Sequence, residues 1–231
     1  NRELLDEFTD KQSNWFFCEH DGSLGSYGCE IITIPMHPED AKDVEQWEEL
    51  TNYLSDKATS WDTGRCGLHV HIGREILGKS EEQRSETIGK LLYLYHHFVK
   101  DTRLNIAVYG RDVAYNDRDG KTDIGNSAKI LGSEVFKSKD ICNKVKDAMV
   151  SKSSHARYFD VNLMNEHTIE FRKGKGSLRP ERIAMVVEYS EKLCLYAKHT
   201  PWVQISYVDF VNYLKSTDCS APLKDMIETR A

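Results

Sequence analysis

The sequence predicts an α+β fold in which an antiparallel β-sheet carries helices packed on one of its faces. Short segments that alternate apolar and polar residues come in pairs joined by turn residues, which is typical of β-hairpins. Longer segments between and after them have apolar residues at helical spacing. The chain contains no internal repeat, low-complexity tract or linker, so we expect one domain over residues 1–231.

The first hairpin is predicted from two segments near the start of the chain. Residues 14–20 predict a strand, Asp21-Gly22-Ser23 a turn, and residues 28–34 the returning strand. This pairing is expected to bring Asp21 and Glu30 close together. Glu30 interrupts an apolar run, which indicates either a surface position at a strand edge or a carboxylate held by a cation.

The next predicted strand, residues 66–73, carries two histidines side by side. Side chains of a strand alternate between its faces, so the apolar residues share one face while His69 and His71 share the other. Two imidazoles in this arrangement can present nitrogens to one metal ion or one polyphosphate. The alternative is a pair of exposed or hydrogen-bonded bystanders.

The last predicted hairpin joins residues 155–165 to residues 167–172. In the second of these strands Glu170 and Arg172 share one face, and the other face is apolar. If this strand lies in one sheet with the strand of His69, imidazoles, a carboxylate and a guanidinium converge over the sheet surface. The alternative is an edge strand with solvated charges.

Helices account for most of the remaining chain. The sequence Ser80-Glu81-Glu82-Gln83 is a capping box, which opens a long helix. Residues 110–133 are rich in Gly, Asp and Asn and have little periodicity, which predicts a long loop. The helices are expected at residues 38–58, 80–103, 134–150, 180–198, 207–216 and 221–229.

The composition excludes two classes of partner. Hydrophobic residues make up 39% of the chain and charged residues 29%, as in globular proteins. The net charge of -6 argues against a nucleic-acid-binding protein, which would show clustered basic residues. No apolar run approaches the roughly 20 residues needed to span a bilayer. We therefore expect no nucleic acid and no membrane among the partners.

The cysteines indicate a reducing compartment. The six of them are scattered, without the CxxC pairs of a zinc site or the density of a disulfide framework. The chain also shows no signal-peptide pattern, although it begins with Asn. We therefore expect a cytoplasmic protein with reduced thiols at Cys18, Cys29, Cys66, Cys142, Cys194 and Cys219.

The polar residues of the three predicted strand regions form one candidate site. Carboxylates with one or two imidazoles are a hard ligand set, which suits Mg²⁺ or Mn²⁺ better than structural Zn²⁺. Hard cations beside arginines are suited to handling phosphate. The chain has neither a GxxxxGK[ST] sequence nor a protein-kinase motif set. The candidates are Asp21, Glu30, His69, His71, Arg157, Asn162, Glu170 and Arg172.

The order and spacing of these motifs resemble those of the putative amidoligase family, over residues 14–200. The resemblance rests on D-G-S-L and G-C-E-I at residues 21–31, C-G-L-H-V-H at 66–71, R-Y and N-L at 157–163, and T-I-E-F-R followed by G-S-L at 168–178. That family belongs to the glutamine synthetase-like carboxylate–amine ligases, which include glutamate–cysteine ligase. The resemblance implies a glutamine synthetase-like catalytic domain.

The resemblance also implies a reaction and a role for each candidate. ATP would phosphorylate a carboxylate to an acyl phosphate, which an amine then attacks to give an amide or peptide bond. Arg157 and Arg172 would act on the transferred phosphoryl group or the carboxylate substrate, and His71 would contact the nucleotide. The implied ligands of Mg²⁺ or Mn²⁺ are Asp21, Glu30, His69 and Glu170, and the implied contacts of ATP are His71, Arg157, Asn162 and Arg172.

One departure from the family pattern leaves alternatives open. Relatives have an earlier strand with a Glu-x-Glu pair of metal ligands, and no segment before Asn14 fits it. Either the chain is truncated, or another segment supplies ligands, or metal binding is impaired; Glu19 could also replace Asp21. The alternative functions are a non-catalytic binding module and a metal-dependent hydrolase. We expect small-molecule or peptide carboxylates and amines as substrates, with residues 110–133 helping to select them, whereas the oligomeric state stays open.

Overall fold

The computed structural model describes residues 14–21, 24, 28–60, 66–111 and 160–231. Small antiparallel sheets with helices packed against them confirm the predicted α+β class. The chain divides into two compact units, Asn1–Gly67 with Gly176–Ala184 and Leu68–Lys175 with Met185–Ala231, and each is described by itself. The single domain expected over residues 1–231 stays a prediction.

The strands and helices lie close to the segments that the sequence predicts. The strands are β1 (Phe16–His20), β2 (Cys29–Thr33), β3 (Gly67–Gly73), β4 (Val161–Asn162) and β5 (Thr168–Lys175). The helices are α1 (Pro38–Ala41), α2 (Val44–Ser55), α3 (Glu81–Leu94), α4 (Arg103–Tyr109), α5 (Pro180–His199), α6 (Tyr207–Ser216) and α7 (Ala221–Arg230). Short 3-10 turns at Arg74–Leu77 and Trp202–Gln204 and a π-helical turn at Tyr95–Val99 complete the described elements.

The first unit contains the predicted hairpin of β1 and β2. The two strands pair antiparallel, with Glu19 opposite Glu30. The helix expected over residues 38–58 is divided into α1 and α2, because the Asp43 side chain accepts a hydrogen bond from Glu45 N at 3.0 Å and caps a new helix. Trp47 of α2 is buried and packs edge-on against Trp15.

The second unit contains a three-stranded sheet in the order β3-β5-β4. β4 and β5 pair antiparallel with Asn162 opposite Glu170, which confirms the second predicted hairpin. β3 and β5 approach closely at Gly174, where a Cβ atom would lie only 2.4 Å from the Leu68 carbonyl oxygen. The apolar face of this sheet, which includes Val70 and Ile169, is buried in the hydrophobic core of the unit.

Helices α3 to α7 complete that core. The capping box at Ser80 opens α3 as predicted. The single helix expected over residues 80–103 is wrong beyond Leu94, because the chain continues as the π-helical turn and Thr102 then caps α4. None of the described helices is long and apolar enough to cross a membrane.

Several predictions fall on residues outside the described part of the chain. These are residues 112–133 of the expected loop, the helix expected at 134–150, and residues 155–159 of the strand expected at 155–165. Arg157 is among them, so its predicted role stays a prediction. Cys142 lies there as well, whereas Cys194 and Cys219 are buried free thiols.

Candidate active site on the β3-β5-β4 sheet

The candidate site lies on the polar face of the three-stranded sheet. β5 is the central strand, and its side chains alternate as predicted, so Glu170 and Arg172 share one face. His69 and His71 come from β3 on one side of it, and Asn162 comes from β4 on the other. Neighbouring strands lie about 5 Å apart, which brings these side chains within contact distance.

Glu170 is the centre of the cluster. Its Oε1 atom lies 3.2 Å from His69 Nδ1 and 3.6 Å from His71 Nε2, and it accepts a hydrogen bond from Arg172 Nη1. Its Oε2 atom accepts a hydrogen bond of 2.7 Å from Asn162 Nδ2. The Glu170 side chain is only 6% exposed, so these contacts replace most of its hydration.

The neighbours of Glu170 keep its carboxylate ionised. Burial by itself would raise the pKa of Glu170, because it removes water from the charged form. The imidazoles of His69 and His71, the charge of Arg172 and the Asn162 amide outweigh burial and hold that pKa well below its usual range. The site therefore has a fixed negative charge at neutral pH, surrounded by donors.

The donors around Glu170 are themselves oriented by hydrogen bonds. His71 Nδ1 lies 3.0 Å from Thr168 Oγ1, a contact that directs its other nitrogen towards Glu170. Asn162 Oδ1 accepts a hydrogen bond of 2.9 Å from Met164 N, so its amide NH₂ group is directed to Glu170. The Arg172 Nε atom is buried and has no hydrogen-bond partner among the described residues. This orphaned donor could bind an anionic group of a ligand.

Arg74, which directly follows β3, supports the site by holding the turn between β4 and β5, and the sequence interpretation missed it. Its guanidinium donates to Thr168 O at 3.1 Å and to Leu163 O at 2.7 Å, and its backbone N donates to His167 O at 2.9 Å. All three acceptors are main-chain carbonyls, which every residue carries. No sequence pattern therefore signals this contact.

The acidic candidates of the first unit lie on the β1–β2 hairpin. Glu19 and Glu30 are directly opposite each other and exposed, and Asp21 follows the end of β1 with the same parity as Glu19. The cross-strand partner of Glu30 is therefore Glu19 rather than Asp21, and the choice between Glu19 and Asp21 as ligand stays a prediction. A common site of these acids with His69 and Glu170 stays a prediction.

The described residues of the site include one carboxylate of the kind that a divalent cation binds. Within the described ranges, no group of three or more His, Cys, Asp or Glu side chains is arranged to hold a metal ion. The Glu170 carboxylate is of the donor type that Mg²⁺ and Mn²⁺ prefer, whereas the imidazoles of His69 and His71 are of the type that Zn²⁺ prefers. The ligand set Asp21, Glu30, His69 and Glu170 stays a prediction.

A protein-family model matches most of the chain. A family model described as "Putative amidoligase enzyme" matches residues 4–194, a range that includes the β1–β2 hairpin and the whole Glu170 cluster. No curated protein and no solved structure matches the chain.

Proposed function

The chain belongs to the family of putative amidoligase enzymes, and from this we propose that it is an ATP-dependent carboxylate–amine ligase. Membership in the family supports an amide-forming ligase in general terms. The proposal adds that ATP converts the carboxylate substrate to an acyl phosphate, and that an amine then displaces phosphate to form an amide or peptide bond. It also adds a requirement for Mg²⁺ or Mn²⁺.

The observation that carries the proposal is the pairing of Glu170 with Arg172 on one sheet face. A planar guanidinium can bind the two oxygens of a carboxylate or phosphoryl group at once. Arg172 Nε is a buried donor without a hydrogen-bond partner among the described residues, so a ligand oxygen would relieve its desolvation cost. We propose that Arg172 binds the carboxylate substrate or the phosphoryl group during transfer.

The remaining residues have roles that follow from their chemistry. His71 and Asn162 would contact ATP together with Arg172, and Arg157 would steady the transferred phosphate. A bound Mg²⁺ or Mn²⁺ would neutralise charge on the phosphate oxygens. The proposed ligands are Asp21, Glu30, His69 and Glu170, and the depressed pKa of Glu170 keeps that carboxylate in the form that a cation binds.

The first experiment measures ADP release from Mg²⁺-ATP in the presence of pooled amino acids and small amines. The wild-type protein is compared with His69→Ala and with His199→Ala, a matched control at the exposed end of α5. We expect ADP release that depends on the acceptors, is lost in His69→Ala and is retained in His199→Ala.

The same assay separates the alternative functions. A folded wild-type protein that releases no ADP with any acceptor would contradict the ligase and favour a binding module. Substrate hydrolysis that depends on Mn²⁺ but not on ATP would favour a metal-dependent hydrolase. Arg172 has no necessary role in a hydrolase, so its contact with Glu170 favours the ligase.

A further inference from the structure

A buried lysine lies directly behind the candidate site. Lys173 follows Arg172 on β5, and the alternation of the strand turns its side chain to the apolar face of the sheet. The Lys173 side chain is only 1% exposed. A buried ammonium group is costly unless it is paired and hydrogen-bonded, so its partners indicate why it is there.

The Lys173 ammonium connects two segments that approach β5 from different parts of the chain. Its Nζ atom donates to the carbonyl oxygen of Lys100 at 2.9 Å and lies 4.0 Å from Asp160 Oδ2. Lys100 caps the π-helical turn, where its N–H bonds to Tyr95 O, five residues earlier. Tyr95 in turn donates its hydroxyl to Asp160 Oδ2 at 3.1 Å.

Asp160 connects this buried cluster to the site face of the sheet. Its carbonyl oxygen accepts a hydrogen bond of 2.7 Å from the backbone N of Arg172. Asp160 also immediately precedes β4, where Asn162 binds the Glu170 carboxylate. A displacement of Asp160 would therefore move both the backbone of Arg172 and the amide that contacts Glu170.

We propose that Lys173 and Asp160 are positioning residues, a buried charge pair that sets the placement of Arg172 and Glu170 on the opposite face of the sheet. The proposal rests on the proposed ligase function, because it names residues that hold the reacting groups of that site. An apolar pair of similar volume would pack there with less desolvation cost. The charges instead fix the position of β4 and β5 relative to the π-helical turn, because the Lys173 ammonium must contact Lys100 O and the Asp160 carboxylate at the same time.

The test removes both charges at once, in the double variant Asp160→Asn/Lys173→Met. Asn keeps the shape of Asp and an acceptor for the Tyr95 hydroxyl, and Met keeps the length of Lys. Lys100 O keeps its bond from Asn105 Nδ2 at 2.9 Å, so the substitution leaves that carbonyl satisfied. Leu193→Met is the control, because it changes a fully buried residue of the same core while conserving volume.

Two measurements separate positioning from general support of the fold. The first is amide hydrogen exchange at Arg172 together with the ring resonances of His69 and His71, recorded by NMR on the protein without ligands. The second is the split of ADP release into kcat and KM for ATP. Urea unfolding of each variant reports its stability.

We expect the double variant to fold with an unfolding midpoint close to wild type. The Arg172 amide should exchange about tenfold faster, the histidine ring resonances should shift, and kcat should fall about tenfold or more while KM changes little. Leu193→Met should match the wild type in the Arg172 exchange rate, the histidine ring resonances, kcat and KM.

Two results would overturn the proposal. One is a folded double variant with the Arg172 exchange rate and histidine resonances of the wild type. The other is a double variant that does not fold, because the pair would then serve the fold itself. Absence of ADP release from the wild type would contradict the proposed ligase instead, and the NMR comparison would still decide whether the pair orders the Glu170 site.

Discussion

Replacement of Glu170 by glutamine should destabilise the protein in a way that depends on pH. The substitution removes the charge that Arg172, His69 and His71 contact, and it turns one acceptor oxygen into an NH₂ group. In either orientation of the amide, that NH₂ group would face a donor. At the Oε2 position it would meet Asn162 Nδ2, and at the Oε1 position it would meet Arg172 Nη1. A hydrogen bond to a charged group contributes about 1.5–3 kcal/mol, so we expect a loss of about 2–4 kcal/mol at neutral pH.

The sign of the pH dependence follows from the lowered pKa of Glu170 in the folded protein. A carboxylate with a depressed folded pKa stabilises the protein fully above its unfolded pKa, about 4.3 for glutamate. That contribution is lost as the pH falls from this value towards the folded pKa. The stability difference between wild type and Glu170→Gln should therefore be largest at neutral pH and shrink below about pH 4.

The assay is equilibrium unfolding in urea, followed by tryptophan fluorescence at pH 7 and again near pH 3. Glu228→Gln is the matched control, because Glu228 is exposed on α7. We expect the control to stay within about 0.5 kcal/mol of wild type. A neutral-pH loss as small as that of the control, or one that stays constant down to pH 3, would refute the assignment of Glu170 as a paired, buried anion.

Three further predictions concern the site and the C-terminal helices. Glu170→Gln should abolish Mn²⁺ binding measured by calorimetry while circular dichroism stays that of a folded protein; binding as tight as wild type would show that the cation lies elsewhere. Arg172→Lys should lower the kcat of ADP release about 10²-fold, because an ammonium cannot replace a planar two-donor fork, whereas the exposed control Arg230→Lys should leave kcat unchanged. Glu188→Gln should lower the free energy of unfolding, measured in urea, by about 1.5–3 kcal/mol. The reason is that the buried Glu188 carboxylate accepts hydrogen bonds from both the backbone N and the hydroxyl of Ser220 at the start of α7. An unchanged unfolding midpoint would contradict a structural role for this contact.

Local alternation made the candidate site predictable. In β3 and in residues 168–172 of β5 the polar residues recur every second position, so the shared faces of His69 with His71 and of Glu170 with Arg172 follow from strand geometry alone. The order of the motifs indicated the family, which the match over residues 4–194 confirms. Both kinds of signal are visible in the sequence because they depend on residue type and spacing.

Helix boundaries were less predictable, because competing local bonds interrupt an otherwise continuous pattern. Apolar spacing continues through residues 38–58, but the Asp43 side chain caps a new helix within them. The pattern also continues past Leu94, where the Lys100 N–H bonds to Tyr95 O and produces the π-helical turn. In both places a local hydrogen bond changes the course of the helix, although the apolar residues continue at helical spacing.

The sequence by itself determined which residues share a face, where the hairpins lie and which family the chain belongs to, because each depends on neighbours along the chain. Only the tertiary structure decided that Asn162 meets Glu170, that Arg74 holds the turn between β4 and β5, and that Lys173 and Asp160 pair behind the site. Some of these contacts join residues that are up to about ninety positions apart, and others use main-chain carbonyls, which every residue has. Neither kind of contact can be inferred from the pattern of side chains along the sequence. They are set by which strands become neighbours, and that is decided when the core packs.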